Sequence, residues 1–162
     1  MSDKLLSGFQ VPQRTDHAIK WGDAGQLMSV FCIDQRYGKM PAKDLYARLL
    51  PAISSGQYAI GRKLIDAEIA GGQIDAPVAA VLWARVGDKL HKRLKAMKEV
   101  PYLTPAEWDS GTNHWIIDAA GEIDACGKLI DRLHREQFGK QPFHAFMNLG
   151  NGKVQVRGFG VS

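Results

Sequence analysis

The apolar positions of this chain change period several times along its length. Leu27, Val30 and Phe31, within 24–34, keep helical spacing. Leu45, Leu49 and Leu50 repeat it after Pro41, a residue suited to a first helical turn. That second helix is expected to stop near Pro51, and Gly56 then breaks the chain. Residues 57–61 read as a short strand. The stretch 63–76 is ambiguous: Leu64, Ile65 and Ile69 fit a short helix closed by Gly71 and Gly72. Residues 77–86 are nearly continuously apolar (Val78, Val81, Leu82, Trp83, Val86), as in a strand covered on both faces.

After Gly87 the period returns to that of a helix over 88–98, with Leu90, Leu94 and Met97 on one side. Thr104-Pro105-Ala106-Glu107 spells a capping box with proline in the first helical position, so a short helix should carry Trp108. Residues 109–113 form a turn. A strand at 114–119 and an amphipathic helix at 123–138 follow, the helix turning Cys126, Leu129, Ile130 and Leu133 inward. Two runs, 143–149 and 154–159, flank Gly150-Asn151-Gly152-Lys153, which signals a β-hairpin. This order predicts an α/β (α+β) layer, with helices covering a mixed sheet. Residues 1–162 read as a single domain, with 1–23 as a flexible arm.

Composition narrows the reading. The 162 residues are 45% hydrophobic and 23% charged, the balance of one domain with one core. Lys and Arg total 21 against 17 Asp and Glu, for a net charge of +4. That mildly basic surface favours acidic partners, but it falls short of a dedicated nucleic-acid binder. Cys32 and Cys126 sit among apolar residues and read as two buried free thiols rather than a disulfide. Neither a metal-ligand spacing nor a signal-peptide run is present. No stretch approaches the roughly 20 apolar residues of a membrane span. A cytoplasmic protein is expected.

Neither GxGxxG nor GxxxxGK[ST] occurs, so no nucleotide-phosphate loop is expected. Asp118, directly after Trp-Ile-Ile, is the most distinctive candidate. A carboxylate at the end of an apolar strand is either a proton-handling group shifted by burial or a cap for the next turn. Strand alternation would put His114, Ile116 and Asp118 on one face, which makes His114 a possible substitute base. His91 and His134 lie beside Lys and Arg on helices and read as solvated; His17 lies in the polar arm. Lys89, Lys92, Arg93, Lys95 and Lys98 form a basic helix face. No aromatic residues are interleaved with them, so stacking on bases is not expected.

Several segments together resemble one family. Leu50-Pro51-Ala52-Ile53 followed by Gln57-Tyr58-Ala59, then Pro77-Val78-Ala79 with Trp83-Ala84, resemble stretches of the lysine acyltransferases that activate RTX toxins. Trp108-Asp109-Ser110-Gly111 and Trp115-Ile116-Ile117-Asp118 resemble that family's most specific signature, and Gly152-Lys153-Val154 with Gly158 resembles its terminal hairpin. The matches run in order from about Gly25 to Gly160.

The resemblance implies a fold like the acyl-CoA N-acyltransferases (GNAT-like). It implies fatty-acyl transfer from the phosphopantetheine thioester of acyl carrier protein to internal lysines of an RTX-type protoxin. It further implies no tightly bound cofactor, with acyl carrier protein and protoxin as partners and a homodimer as an option. The family's catalytic pair is His and Asp. Asp118 takes the Asp position, whereas Tyr37 stands at the His position and Asp34 at that of a nearby serine. Trp108, Gly111 and Trp115 of the signature are the expected substrate-binding positions. The 63–76 stretch is longer than the family's.

A tyrosine is a poor base at neutral pH, so Tyr37 is expected to act as the acid, with Asp118 or His114 as base or orienter. This reading predicts a groove beside the Asp118 strand. The competing reading is a non-catalytic relative that binds toxin or carrier protein.

Overall fold

A computed structural model describes residues 8–10, 20–67, 71–150 and 153–160. Its elements are β1 (Gly8–Gln10), α1 (Lys20–Cys32), α2 (Ala42–Ser55), β2 (Tyr58–Ala67), β3 (Gly72–Val86), α3 (Asp88–Lys95), α4 (Pro105–Trp108), β4 (Asn113–Gly121), α5 (Ile123–Glu136), β5 (Phe143–Asn148) and β6 (Val154–Phe159). The six strands form one sheet in chain order. All neighbours are antiparallel except β4 and β5, which are parallel. The apolar run of β3 makes it central, and its residues feed a core on each face. On the first, Leu82, Ala84 and Val86 meet residues of α1, α2, α3 and Trp108 of α4. On the second, Val81 and Trp83 meet Ala125, Leu129 and Leu133 of α5. This is the expected mixed sheet flanked by helices, consistent with an acyltransferase-like α+β fold.

Four expectations about elements are corrected. Gly8–Gln10, placed in a loose arm, pairs with β2 as the edge strand, and α1 begins at Lys20. The rest of the expected arm, with His17, lies outside the described residues. Within the 63–76 stretch, 63–67 and 72–76 are not a helix but the facing arms of a β2–β3 hairpin, with Ile65 opposite Ile74 and Gly71 at φ 66; Ile69 lies outside the described residues. Its apolar residues suggested a helix face, yet Leu64, Ile65 and Ile74 all remain exposed.

The second helix runs through Pro51 to Ser55, and Leu50 is exposed rather than buried. Proline costs the bond its missing N–H would make to the carbonyl four residues back, that of Ala47. Tyr102 Oη donates to that carbonyl instead, at 3.3 Å. Pro41 caps the helix from just outside. The capping box at Thr104 and Glu107 is present in full. Both cysteines are free, as expected, but Cys32 is exposed at the end of α1.

A candidate active site on a bulged strand

The register of β4 against β3 slips by one residue. Leu82 faces Asp118 and Trp83 faces Ile116, which leaves Ile117 as an extra residue. Such a bulge re-aims the side chains beyond it. Before it, Ile116 faces α5 while Trp115 faces the opposite core. After it, Asp118 no longer shares the face of Ile116. It points into the layer of α1 and α2 and is 2% exposed. His114 therefore does not approach Asp118, contrary to the alternation argument. It stacks on Phe138, on the α5 side, with ring centroids 4.5 Å apart.

The turn between α1 and α2 delivers the partners. Asp34 organises it: its carbonyl accepts from the N–H groups of Tyr37 and Gly38, and its carboxylate accepts from the backbone N–H of Arg36 at 2.9 Å. Tyr37 is thereby turned inward, and its hydroxyl donates to Asp118 Oδ2. Arg36 Nη1 donates to Asp118 Oδ1 at 2.7 Å, and the backbone N–H of Ala119 donates to the same oxygen at 2.9 Å. Arg48 Nε of α2 lies 4.0 Å from Oδ2. Asp118 and Tyr37, proposed from sequence at 81 residues' separation, thus meet in one hydrogen bond.

Burial, followed by the field of Asp118 and the hydrogen bond to it, raises the Tyr37 pKa above its ordinary value. The phenol therefore keeps its proton across the neutral range and shares it with Asp118 in their hydrogen bond. Burial opposes the charge of Arg36, but hydrogen bonds and the field from Asp34 and Asp118 more than offset this and raise its pKa. Cys126 is drawn close to Ala120 O, and burial pushes its thiol up to about 11, which makes it a poor nucleophile.

Beside Asp118 lies a small cavity of about 10 Å³, lined by Arg48, Leu103, Trp108 and Ile117 among others. The indole N–H of Trp108 is buried there without a hydrogen-bond partner. A larger open groove of about 980 Å³ borders the strand's far end. It exists because β4 and β5 pair only through Ile116 and Ala145 and then separate. Pro77, Val78, Gly121, Glu122 and Asn148 line it, with Asp34 and Arg36 on the turn side.

The other sequence candidates sit in packing contacts. Trp115 is wholly buried, stacks on His144 and donates to His91 Nδ1 at 3.0 Å. A Cβ on Gly111 would stand 2.5 Å from Gly87 Cα, so glycine is needed for close backbone approach. His91 and His134 are half-buried against β4 and β5 rather than solvated. Arg36 and Arg48 escaped the sequence reading, because nothing local marks a cation whose carboxylate partner lies 82 residues away. Among the described residues no group of His, Cys, Asp or Glu is arranged to hold a metal. No helix among them is long and apolar enough to cross a membrane.

A helix-covered mixed sheet is consistent with an acyltransferase-like architecture, and its bulged strand β4 sets the Tyr37–Asp118 pair behind Arg36 at an open groove. Residues 22–158 match the model of the RTX toxin acyltransferase family, and the chain belongs to that family. It is 40% identical over 76 residues to a leukotoxin-activating lysine-acyltransferase of a Pasteurella haemolytica-like species, covering 46% of this chain and 39% of that protein. The corresponding protein of Mannheimia haemolytica is again 40% identical over 76 residues, covering 46% of this chain and 38% of the relative. An RTX-I toxin-activating lysine-acyltransferase of Actinobacillus pleuropneumoniae is 24% identical over 142 residues, covering 88% of this chain and 68% of its own length. The matched region therefore spans about two fifths of the leukotoxin-activating relatives.

Proposed function

We propose that this protein is a lysine acyltransferase that moves a fatty acyl group from the pantetheine thioester of acyl carrier protein to lysine side chains of an RTX-type protoxin. The carrying observation is the hydrogen bond between Tyr37 and Asp118, the two positions where the family resemblance puts its catalytic pair. The groove where β4 and β5 part supplies the place for the acyl–pantetheine arm. Its wall at the start of α5 carries Glu122 and Ile123. The charge of α3 suits an acidic carrier protein: Lys89, Lys92, Arg93 and Lys95 stand against Asp88 alone.

In this mechanism the neutral amine of the acceptor lysine attacks the thioester carbonyl and forms the amide bond. The carbon–sulfur bond breaks, and the departing thiolate takes up the surplus proton of the amine within the groove. Asp118, held by the Tyr37 phenol, orients Arg36 at the edge of that groove.

The test is release of free carrier thiol from acyl carrier protein, which should require both the protein and a lysine-bearing protoxin fragment. It should fall by roughly 10²–10⁴-fold in Asp118→Ala. Release at the wild-type rate in Asp118→Ala would refute the mechanism. The near closure of Asp118 and Tyr37 to solvent, at 2% and 7% exposed, favours the second reading, a non-catalytic binding module. That reading predicts complex formation with no thiol release.

A further inference from the structure

The group of the site that meets the groove is neither Asp118 nor Tyr37 but Arg36. A guanidinium has five N–H donors. Four are engaged: Nε with Asp34 Oδ1 at 2.9 Å, Nη2 with Asp34 Oδ2 at 2.8 Å and with Ala119 O at 2.6 Å, and Nη1 with Asp118 Oδ1 at 2.7 Å. One N–H of Nη1 remains, on a side chain 18% exposed that lines the groove. Two carboxylates and a backbone carbonyl hold the guanidinium in one orientation, so its last donor costs nothing further to aim. A donor so fixed, in a partly water-excluded place, is what an oxygen gaining negative charge requires.

We propose that Arg36 is a catalytic residue whose free Nη1–H binds the acyl carbonyl oxygen and stabilises the oxyanion formed on attack by the lysine amine. In that step the amine nitrogen bonds to the carbonyl carbon, and the carbonyl π pair moves onto oxygen, opposite Arg36. The pair then returns as the carbon–sulfur bond breaks, and the thiolate takes up the surplus proton of the amine. Asp34 and Asp118 thereby act together, orienting the cation that faces the substrate. The inference rests on the acyl-donor reading above, and binding rather than turnover separates the two.

The probes are two myristoyl-pantetheine analogues. One is a ketone, with CH2 in place of the thioester sulfur and the carbonyl kept. The other is the matching alkyl thioether, which has no carbonyl. Wild-type protein should bind the ketone roughly ten- to a hundredfold more tightly, the range of a hydrogen bond to a charged group. Arg36→Gln should bind both alike and retain the fold by circular dichroism. If Arg36→Gln does not fold, Arg36→Lys keeps a cation between the carboxylates and should show a clearly smaller preference than wild type. An undiminished preference in the folded variant, or no preference in the wild type, overturns the role of Arg36 and leaves the acyl-donor reading standing. Binding of neither analogue by the wild type overturns both.

Discussion

At Tyr37 a phenol stands where the family resemblance puts histidine, and this exchange sets how the reaction should depend on pH. An imidazole base loses its function as pH falls through roughly 6.5. Tyr37 has its pKa raised by burial and by Asp118, so it stays protonated throughout that range. The rate should then follow the neutral fraction of the acceptor lysine. It should rise about tenfold per pH unit from pH 6 to 9, with no break near 6.5. Tyr37→His should introduce such a break; a break already present in the wild type would contradict this assignment. That Tyr37 and Asp118 belong together was legible through the family resemblance, and their hydrogen bond brings them together. Arg36 was not, since its role depends on where Asp34 and Asp118 finally stand.

Among the elements, periodicity located each described helix and β2 through β6, but it missed β1 and could not reveal the one-residue slip in β4. A simple alternation argument puts Asp118 beside His114. The bulge moves Asp118 to the other face, because an extra residue inverts everything after it. The hairpin of β2 and β3 was misread because exposed Leu64 and Ile65 on a two-stranded arm mimic the start of a helix stripe.

Gly111 lies where α4 leads into β4, against Gly87. Gly111→Ala should lower the melting temperature markedly and leave the donor KM of the surviving folded protein nearly unchanged. A KM effect without destabilisation would restore it as a binding residue.

A buried bond ties α1 to the sheet, with Tyr58 Oη donating to Asp23 Oδ2 at 2.6 Å. Tyr58→Phe leaves Asp23 buried without that donor and should cost about 1–3 kcal/mol, read by urea unfolding. Burial, and then the bond to Asp23, raises the Tyr58 pKa. The stabilisation is therefore complete below the ordinary tyrosine range near 10, and is lost as pH rises toward the raised value. Tyr58→Phe should accordingly flatten the alkaline decline in stability.

Over the whole molecule, the sheet separates two jobs. One face carries α1, α2 and the Tyr37–Asp118 pair; the parting of β4 and β5 opens the groove at its end. The net charge of +4 is concentrated on α3, whereas α5 balances Lys128, Arg132 and Arg135 against Asp124, Asp131 and Glu136. Lys92→Glu combined with Lys95→Glu should raise the KM for acyl carrier protein several-fold with little change in kcat, and the difference should shrink at high salt. An unchanged KM would place the carrier elsewhere.

Acyl transfer to lysine at the Tyr37–Asp118 pair stands or falls on intact mass and peptide mapping of a protoxin fragment incubated with acyl carrier protein and this protein. Acyl groups are expected on lysine side chains with wild-type protein and none with Asp118→Ala. Unmodified lysines in the presence of a stable complex with carrier or protoxin would contradict acyl transfer at this pair.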